Sequence, residues 1–261
     1  YGDPAWSPPG QGCVSIAELA PGTTADIAAV TAAVAAELGS DVDGVAVGHG
    51  FQLSAAVESE RLLAAVRSAY PRALIAGFGA DMAVLKGVGH PRALTDAWGL
   101  TKAQGWQGVG HTRMATESAV TPAGCHPYAV GPGQCLVHNG SFANHATVRR
   151  ELRSAGIAFD SENDTEVGAR FIAKQLADGL DVQTALKALC ATFDGFYTLL
   201  VSNRDSFAVV RDAIACKPAV IAETDDWVAM GSEYRALAGL PGVEKARIWE
   251  PEPEVVYAWS R

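Results

Sequence analysis

Apolar residues along this chain recur with two periods, near 3.6 in some stretches and 2 in others, which predicts a mixed order of helices and strands without internal repeats or a long linker. After a Pro- and Gly-rich opening, Gly12 to Leu19 reads as extended. Thr23 or Thr24 can cap an Ala-rich helix running to about Leu38 and ended by Gly39. Val45 to Val47 and Phe51 to Ala55 read as strands and Glu58 to Tyr70 as a helix. Ala73 to Phe78 and Met82 to Lys86 read as a hairpin around Gly79-Ala80-Asp81. Asn144 can cap a helix with Val148 and Leu152 on one face, and Asp164 a helix carrying Val167, Phe171, Ile172 and Leu176. Asp181 to Phe193 repeats the device with Val182, Leu186, Leu189 and Phe193. From Gly195 onward the period switches to strands: Phe196 to Val201, Phe207 to Arg211, Ala219 to Ala222, Trp227 to Gly231 and Val255 to Trp259. This order suggests an α+β class with two sheets sandwiched between helical layers.

Composition narrows the function classes. The chain has 261 residues, 49% hydrophobic and 19% charged, enough for one large domain with a substantial core, although length alone would also permit two. A formal net charge of −9 argues against a general phosphate-binding surface, so no nucleic-acid partner is expected. No apolar run reaches bilayer length, and the opening Tyr1 to Gly10 lacks the basic start and apolar core of a signal peptide. The expectation is a cytoplasmic protein with no membrane role. Cys13, Cys125, Cys135, Cys190 and Cys216 are widely spaced and odd in number, fitting neither a disulfide framework nor a CxxC metal site. Cys135, Cys190 and Cys216 lie in largely apolar stretches and are read as core residues.

The chemistry centres on Asn139-Gly140, which closes the run Gln134-Cys135-Leu136-Val137-His138. An Asn side-chain amide and a following Gly N–H can aim two donors at one point, as an oxyanion hole requires. Asn-Gly is also the commonest short hairpin turn, and that reading stays open here. Arg113 supplies a planar fork suited to a carboxylate and Asp164 an anion suited to an ammonium; taken alone, each could instead be a surface ion-pair residue and a helix cap. His111, His126 and His138 lack metal-ligand spacing. Gly77-Phe78-Gly79 and Gly108-Val109-Gly110 are not followed by a dinucleotide fingerprint.

Several motifs occur in an order that resembles the glutaminase domain of class II glutamine amidotransferases, members of the N-terminal-nucleophile hydrolase superfamily. They are Gly110-His111-Thr112-Arg113-Met114-Ala115-Thr116, His126-Pro127, His138-Asn139-Gly140, Glu162-Asn163-Asp164-Thr165-Glu166, Val210-Arg211-Asp212 and Gly231-Ser232-Glu233. The resemblance implies a four-layer αββα sandwich and hydrolysis of glutamine to glutamate and ammonia. It implies that Asn139 and Gly140 form the oxyanion hole and that Arg113, Thr116 and Asp164 bind the substrate. The family's nucleophile is a cysteine at the mature N-terminus, with its own α-amino group as base, whereas this chain starts with Tyr1. The reading is therefore a single domain over residues 1–261, N-terminally incomplete and lacking its first strand or strands. Such a chain is expected to be inactive alone. Cys125 beside His126 is a weaker substitute nucleophile, because adjacent side chains in an extended segment face opposite ways, and Cys13 is weaker still.

Within the family, Gly110 to Thr121, Ile214 to Trp227 and Trp249-Glu250-Pro251-Glu252-Pro253 are most similar to amidotransferase subunits of glutamate-synthase-like and N-methylglutamate-synthase complexes. That resemblance implies a hetero-oligomer in which a separate synthase subunit accepts the ammonia. FMN and an iron–sulfur cluster are expected in that partner, with no cofactor or metal in this chain. The alternative is a catalytically silent glutamine-binding or regulatory subunit. If Arg113 clamps the substrate carboxylate, Arg113→Lys weakens glutamine binding in the complete protein by about 1–3 kcal/mol, since lysine cannot reproduce the bidentate fork. Calorimetry that finds an unchanged affinity contradicts the assignment.

Overall fold

The computed structural model describes residues 10–20, 23, 25–112 and 121–261. Two compact units divide the chain, Tyr1–Cys135 and Leu136–Arg261. The first runs β1 (Gly12–Glu18), α1 (Ile27–Leu38), β2 (Asp43–Val47), β3 (Gly50–Ala55), α2 (Ser59–Ala69), β4 (Leu74–Ala80), α3 (Pro91–Ala97) and β5 (Tyr128–Gly131). Its four-stranded antiparallel sheet has the order β2-β3-β1-β4. Val14 and Ile16 of β1 join Val30, Val34 and Leu38 of α1 and Leu62, Ala65 and Val66 of α2 in one buried cluster. The spacing of four in α1 places its three apolar residues on one stripe, as burial against a sheet requires. Helix α1 begins later than the sequence suggests: its cap is Asp26, which accepts a hydrogen bond from the Ala29 N–H at 2.8 Å, in place of Thr23 or Thr24. Gly39 ends it with φ 73°, the left-handed conformation expected of a helix terminus.

The expected hairpin around Gly79-Ala80-Asp81 does not form. Strand β4 pairs with β1, and Met82 to Lys86 is not a strand. Side chains take its backbone groups instead: the Val84 N–H donates to Ser15 Oγ at 2.8 Å, and Gln52 Nε2 donates to the Met82 carbonyl at 3.1 Å. Ser15 Oγ in turn donates to Gln52 Oε1 at 2.5 Å. Ser15 and Gln52 are both buried in the sheet, so the segment is fastened by polar side chains where a ladder would have served. Val84 then packs with Ala17, Ala76, Ala129 and Cys135 in a second apolar cluster. Helix α3, absent from the periodicity reading, starts with Pro91 in its first turn after His90, a start signal that the sequence does carry.

The second unit runs β6 (Gln134–Phe142, which the boundary crosses), α4 (His145–Ser154), α5 (Asp164–Ala177), α6 (Val182–Thr192), β7 (Gly195–Ser202), β8 (Ser206–Arg211), β9 (Val220–Glu223), β10 (Val228–Gly231), α7 (Tyr234–Leu237), β11 (Arg247–Trp249) and β12 (Tyr257–Ser260). Its main sheet has the order β12-β8-β7-β6, and β10-β9-β11 form a smaller antiparallel one. Helices α4, α5 and α6 bury Val148 and Leu152, Val167 and Ile172, and Val182, Leu186 and Leu189, as their spacing predicts, whereas Phe171 and Leu176, expected on the same face of α5, are only partly buried. Phe142 of β6 packs against Phe193 and Tyr197, with ring centroids at 4.5 and 5.2 Å. The class is α+β.

Two details of this unit depart from the sequence reading. Asn144 stands at the N-cap of α4, but its side chain bonds elsewhere, donating to the Thr192 carbonyl at 2.9 Å and accepting from the Asp194 N–H at 3.0 Å. Cys135 is buried, whereas Cys190 is only partly so and Cys216 is exposed in the turn after β8. Among the described residues no helix is long and apolar enough to cross a membrane.

Removing the Ser15 hydroxyl leaves the Val84 N–H and Gln52 Oε1 without their buried partner. Ser15→Ala is therefore expected to destabilise the protein by about 1–3 kcal/mol. Denaturant unfolding with an unchanged midpoint contradicts the fastening role.

Candidate functional site

Strand β6 is the element on which the candidate site is built. Leu136 and His138 are buried while Val137 and Asn139 are half-buried, the alternation of a strand whose two faces differ. Asn139-Gly140 is not a hairpin turn, because β6 continues through it to Phe142. Gly140 has φ 146°, and a Cβ there would stand 2.0 Å from the Phe196 carbonyl oxygen and 2.7 Å from Tyr197 Cα. Gly195, with φ 140°, is the reciprocal case, since its Cβ would meet the Ser141 carbonyl oxygen at 2.1 Å. Strands β6 and β7 thus approach so closely that only glycine fits at either point. Gly140 is nevertheless exposed and Asn139 half-buried, so ligand access is compatible with the strand's packing.

Asp164 is tied to the same strand. Its Oδ2 accepts from the Phe142 N–H at 2.9 Å and lies 3.9 Å from His138 Nδ1; Thr165 Oγ1 donates to Oδ1 at a long 3.4 Å. Asp164 is not the cap of α5 that the sequence suggests. The cap is Asn163, whose side chain accepts from the Thr165 N–H at 2.9 Å, and Asp164 is the first helical residue. Its carboxylate turns to β6 because the strand end offers a backbone donor. His138 is buried against Thr165 Oγ1, at 3.0 Å from Nδ1, and stacks on Phe142 with centroids 4.3 Å apart.

The structure therefore places Asn139 and Gly140 on β6 and ties the Asp164 carboxylate, from the first residue of α5, to the end of that strand at Phe142. Arg113 and Thr116 lie outside the described residues. Of the flanking motif histidines, His111 and His126 stand with ring centroids 4.1 Å apart, and His126 meets Tyr128 edge-on at 5.3 Å. Cys125 is half-buried, with its thiol donating to the Pro122 carbonyl at 3.1 Å. Among the described residues no three His, Cys, Asp or Glu side chains gather as a metal site would need.

Residue-type reasoning left the chemistry of Asp212 and Glu166 unassigned, although both stand in the quoted motifs. Asp212 is buried and accepts from the N–H groups of Tyr197 at 2.8 Å, Ile214 at 2.7 Å and Ala215 at 3.3 Å. Arg211 donates to the carbonyls of Pro251 and Ala215. Together they hold Ala215 at φ 50°, a conformation costly for a residue with a Cβ, in the turn that faces Cys216 outward. Beside them, burial pushes the Tyr197 phenol well above its ordinary range and also raises the Cys190 thiol, so both remain protonated at neutral pH. Glu166 is 1% exposed, a charge buried beside Val167 in what reads as an apolar helix face.

Comparison with known proteins points the same way. Residues 111–239 match the family model of the glutamine amidotransferase domain. The glutamine amidotransferase-like protein GlxB of Rhizobium meliloti is 52% identical over 199 residues, covering 76% of this chain and 65% of that protein. Glutamine–fructose-6-phosphate aminotransferase (isomerizing) of Xanthomonas campestris is 43% identical over 97 residues, covering 37% of this chain and 16% of that protein. The chain thus spans less than two thirds of the length of these curated relatives. The solved structure of the allosteric regulatory enzyme of purine biosynthesis is similar over 95% of this chain and 48% of its own, with a TM-score of 0.53 and 18% identity, a likeness of fold alone.

The close approach at Gly140 gives a direct test of the strand geometry. Gly140→Ala must push β6 from β7 and adopt a strained φ, and is expected to cost about 1–3 kcal/mol of stability. A denaturation midpoint equal to that of the parent protein would contradict the observed packing.

Proposed function

Because this chain carries a class II glutamine amidotransferase domain with the N-terminal-nucleophile-hydrolase fold, we propose that it hydrolyses the side-chain amide of glutamine to glutamate and ammonia. The observation that supports the reading is that Asn139-Gly140 lies on β6 and that the Asp164 carboxylate, from the start of α5, is hydrogen-bonded to the end of the same strand. A thiolate attacking the amide carbon puts negative charge on the carbonyl oxygen, and the Asn139 amide with the Gly140 N–H would stabilise it. Collapse of that intermediate, with the proton taken from the thiol passed by its base to the departing nitrogen, breaks the C–N bond and releases ammonia, and water then hydrolyses the thioester to glutamate and the free thiol. In this reading Asp164 receives the α-ammonium, while Arg113 and Thr116 seat the α-carboxylate end. The attacking sulfur is that of the family's N-terminal cysteine, a residue type that the sequence does not have at its first position.

Ammonia released inside a site has value only where an acceptor takes it before it escapes. We assign that acceptor to a separate synthase subunit of the glutamate-synthase or N-methylglutamate-synthase type, with FMN and iron–sulfur chemistry on the partner's side. The support is the likeness of Ile214 to Trp227 and Trp249 to Pro253 to such subunits.

The experiment is glutamate release from glutamine by the natural protein, purified with whatever subunits accompany it. Asn139→Ala is expected to lower turnover by about 10²–10³ while changing substrate binding less, because the lost donor acts on charge that develops only in the transition state. Glutamine binding without glutamate release would establish the silent, regulatory reading instead. Turnover unaffected by Asn139→Ala would remove the oxyanion assignment.

A further inference from the structure

The segment 157–163 between α4 and α5 has no regular structure, yet two buried charged side chains hold its backbone. From α5, Glu166 accepts from the Asp160 N–H at 2.8 Å, the Ser161 N–H at 2.7 Å and Ser161 Oγ at 2.7 Å. From α4, Arg149, 5% exposed, donates to the carbonyls of Ser161 at 2.7 Å and Asn163 at 2.9 Å, with its guanidinium 4.6 Å from the Phe159 ring. Arg170 Nη2 joins Asp160 at 2.7 Å to Glu166 at 3.2 Å. Ser161 Oγ also accepts from the Asn163 N–H at 3.3 Å, and Asn163 caps α5.

Stability alone does not call for this arrangement. Taking charges out of water is costly, and well-packed apolar side chains at such positions often serve stability as well or better. What Glu166 and Arg149 hold is the backbone that leads into α5, whose cap is Asn163 and whose first residue is Asp164. The Asp164 carboxylate has one oxygen committed to the Phe142 N–H, while the other receives only the long bond from Thr165. Acceptor capacity therefore remains for a ligand cation, in an orientation set by the chain just before it.

We propose that Glu166 and Arg149 are positioning residues for the α-ammonium of glutamine. They clamp Ser161 to Asn163 so that the Asp164 carboxylate is preorganised toward that group. The inference rests on the glutaminase reading above and adds to it the origin of selectivity for an α-amino acid amide over one without the amine.

The test compares glutamine with glutaramate, the same amide lacking the α-ammonium, as substrates of the natural protein. Asp164→Asn serves as reference and is expected to collapse the preference for glutamine. Glu166→Gln and Ser161→Ala are expected to raise KM for glutamine on the order of ten-fold, with the loss falling on KM rather than kcat, and to lower the preference by a similar factor. Arg149→Lys, which keeps the charge without the fork, is expected to do the same. A general structural defect would instead depress both substrates alike and leave the preference intact, which overturns the proposal. Should Glu166→Gln fail to fold, Ser161→Ala decides, since it removes one hydroxyl and no buried charge. An unchanged preference in Asp164→Asn removes the assignment of Asp164 and the proposal with it. A collapsed preference there with an intact one in Glu166→Gln, Ser161→Ala and Arg149→Lys overturns the positioning role alone.

Discussion

The hydrogen bond from the Phe142 N–H to the Asp164 carboxylate, 2.9 Å long and joining residues 22 apart in sequence, is the contact on which the site depends. It seats the start of α5 against the end of β6. A carboxylate in the first turn is favoured by the helix dipole, and a strand end supplies a backbone donor in need of an acceptor. One side chain satisfies both demands. Its consequence is that the start of α5, with Asp164, is tied to the strand that carries Asn139 and Gly140, the residues to which the proposed function assigns the ammonium and oxyanion roles.

The second constraint is the mutual approach of β6 and β7 at Gly140 and Gly195. A side chain at either point would collide with the backbone opposite, so glycine is required at both points of the approach, one of them beside Asn139. The same region is braced from behind by Phe142, stacked on His138 and packed on Phe193 and Tyr197. Packing of this kind suits the oxyanion role proposed for Asn139 and Gly140, because donors held in place act without having to reorient when charge develops.

A common device holds the irregular segments around this frame. Ser15 and Gln52 take the backbone groups of 82–84, Glu166 and Arg149 those of 160–163, and Asp212 with Arg211 those of the turn at Ala215. Irregular backbone cannot use a ladder, so buried side chains must supply its partners. Each of these residues is polar or charged at a position that the apolar pattern alone would assign to the core. Such residues are the least visible to periodicity and the most informative once the fold is known.

Periodicity by itself determined the five longer helices, α1, α2, α4, α5 and α6, whose apolar residues at spacings of three and four signal one buried stripe whatever they pack against, and the order of most strands, but not the short α3 and α7. Cap chemistry located Gly39 and Asp181 but misplaced the starts of α1 and α5, because several neighbouring Thr, Asn and Asp residues can each cap and only the final path of the chain chooses among them. Motif order singled out Asn139, Gly140 and Asp164, and their residue types fixed what chemistry they could perform. Tertiary structure alone decided that Asn-Gly lies within a strand and not at a turn, since the feature that demands glycine is a carbonyl of β7 some fifty-six residues further along the chain. It decided equally that Met82 to Lys86 is fastened by side chains and that Cys216 faces solvent. These outcomes depend on hydrogen-bond partners remote in sequence, and a local pattern carries no information about which distant donor or acceptor will arrive beside it.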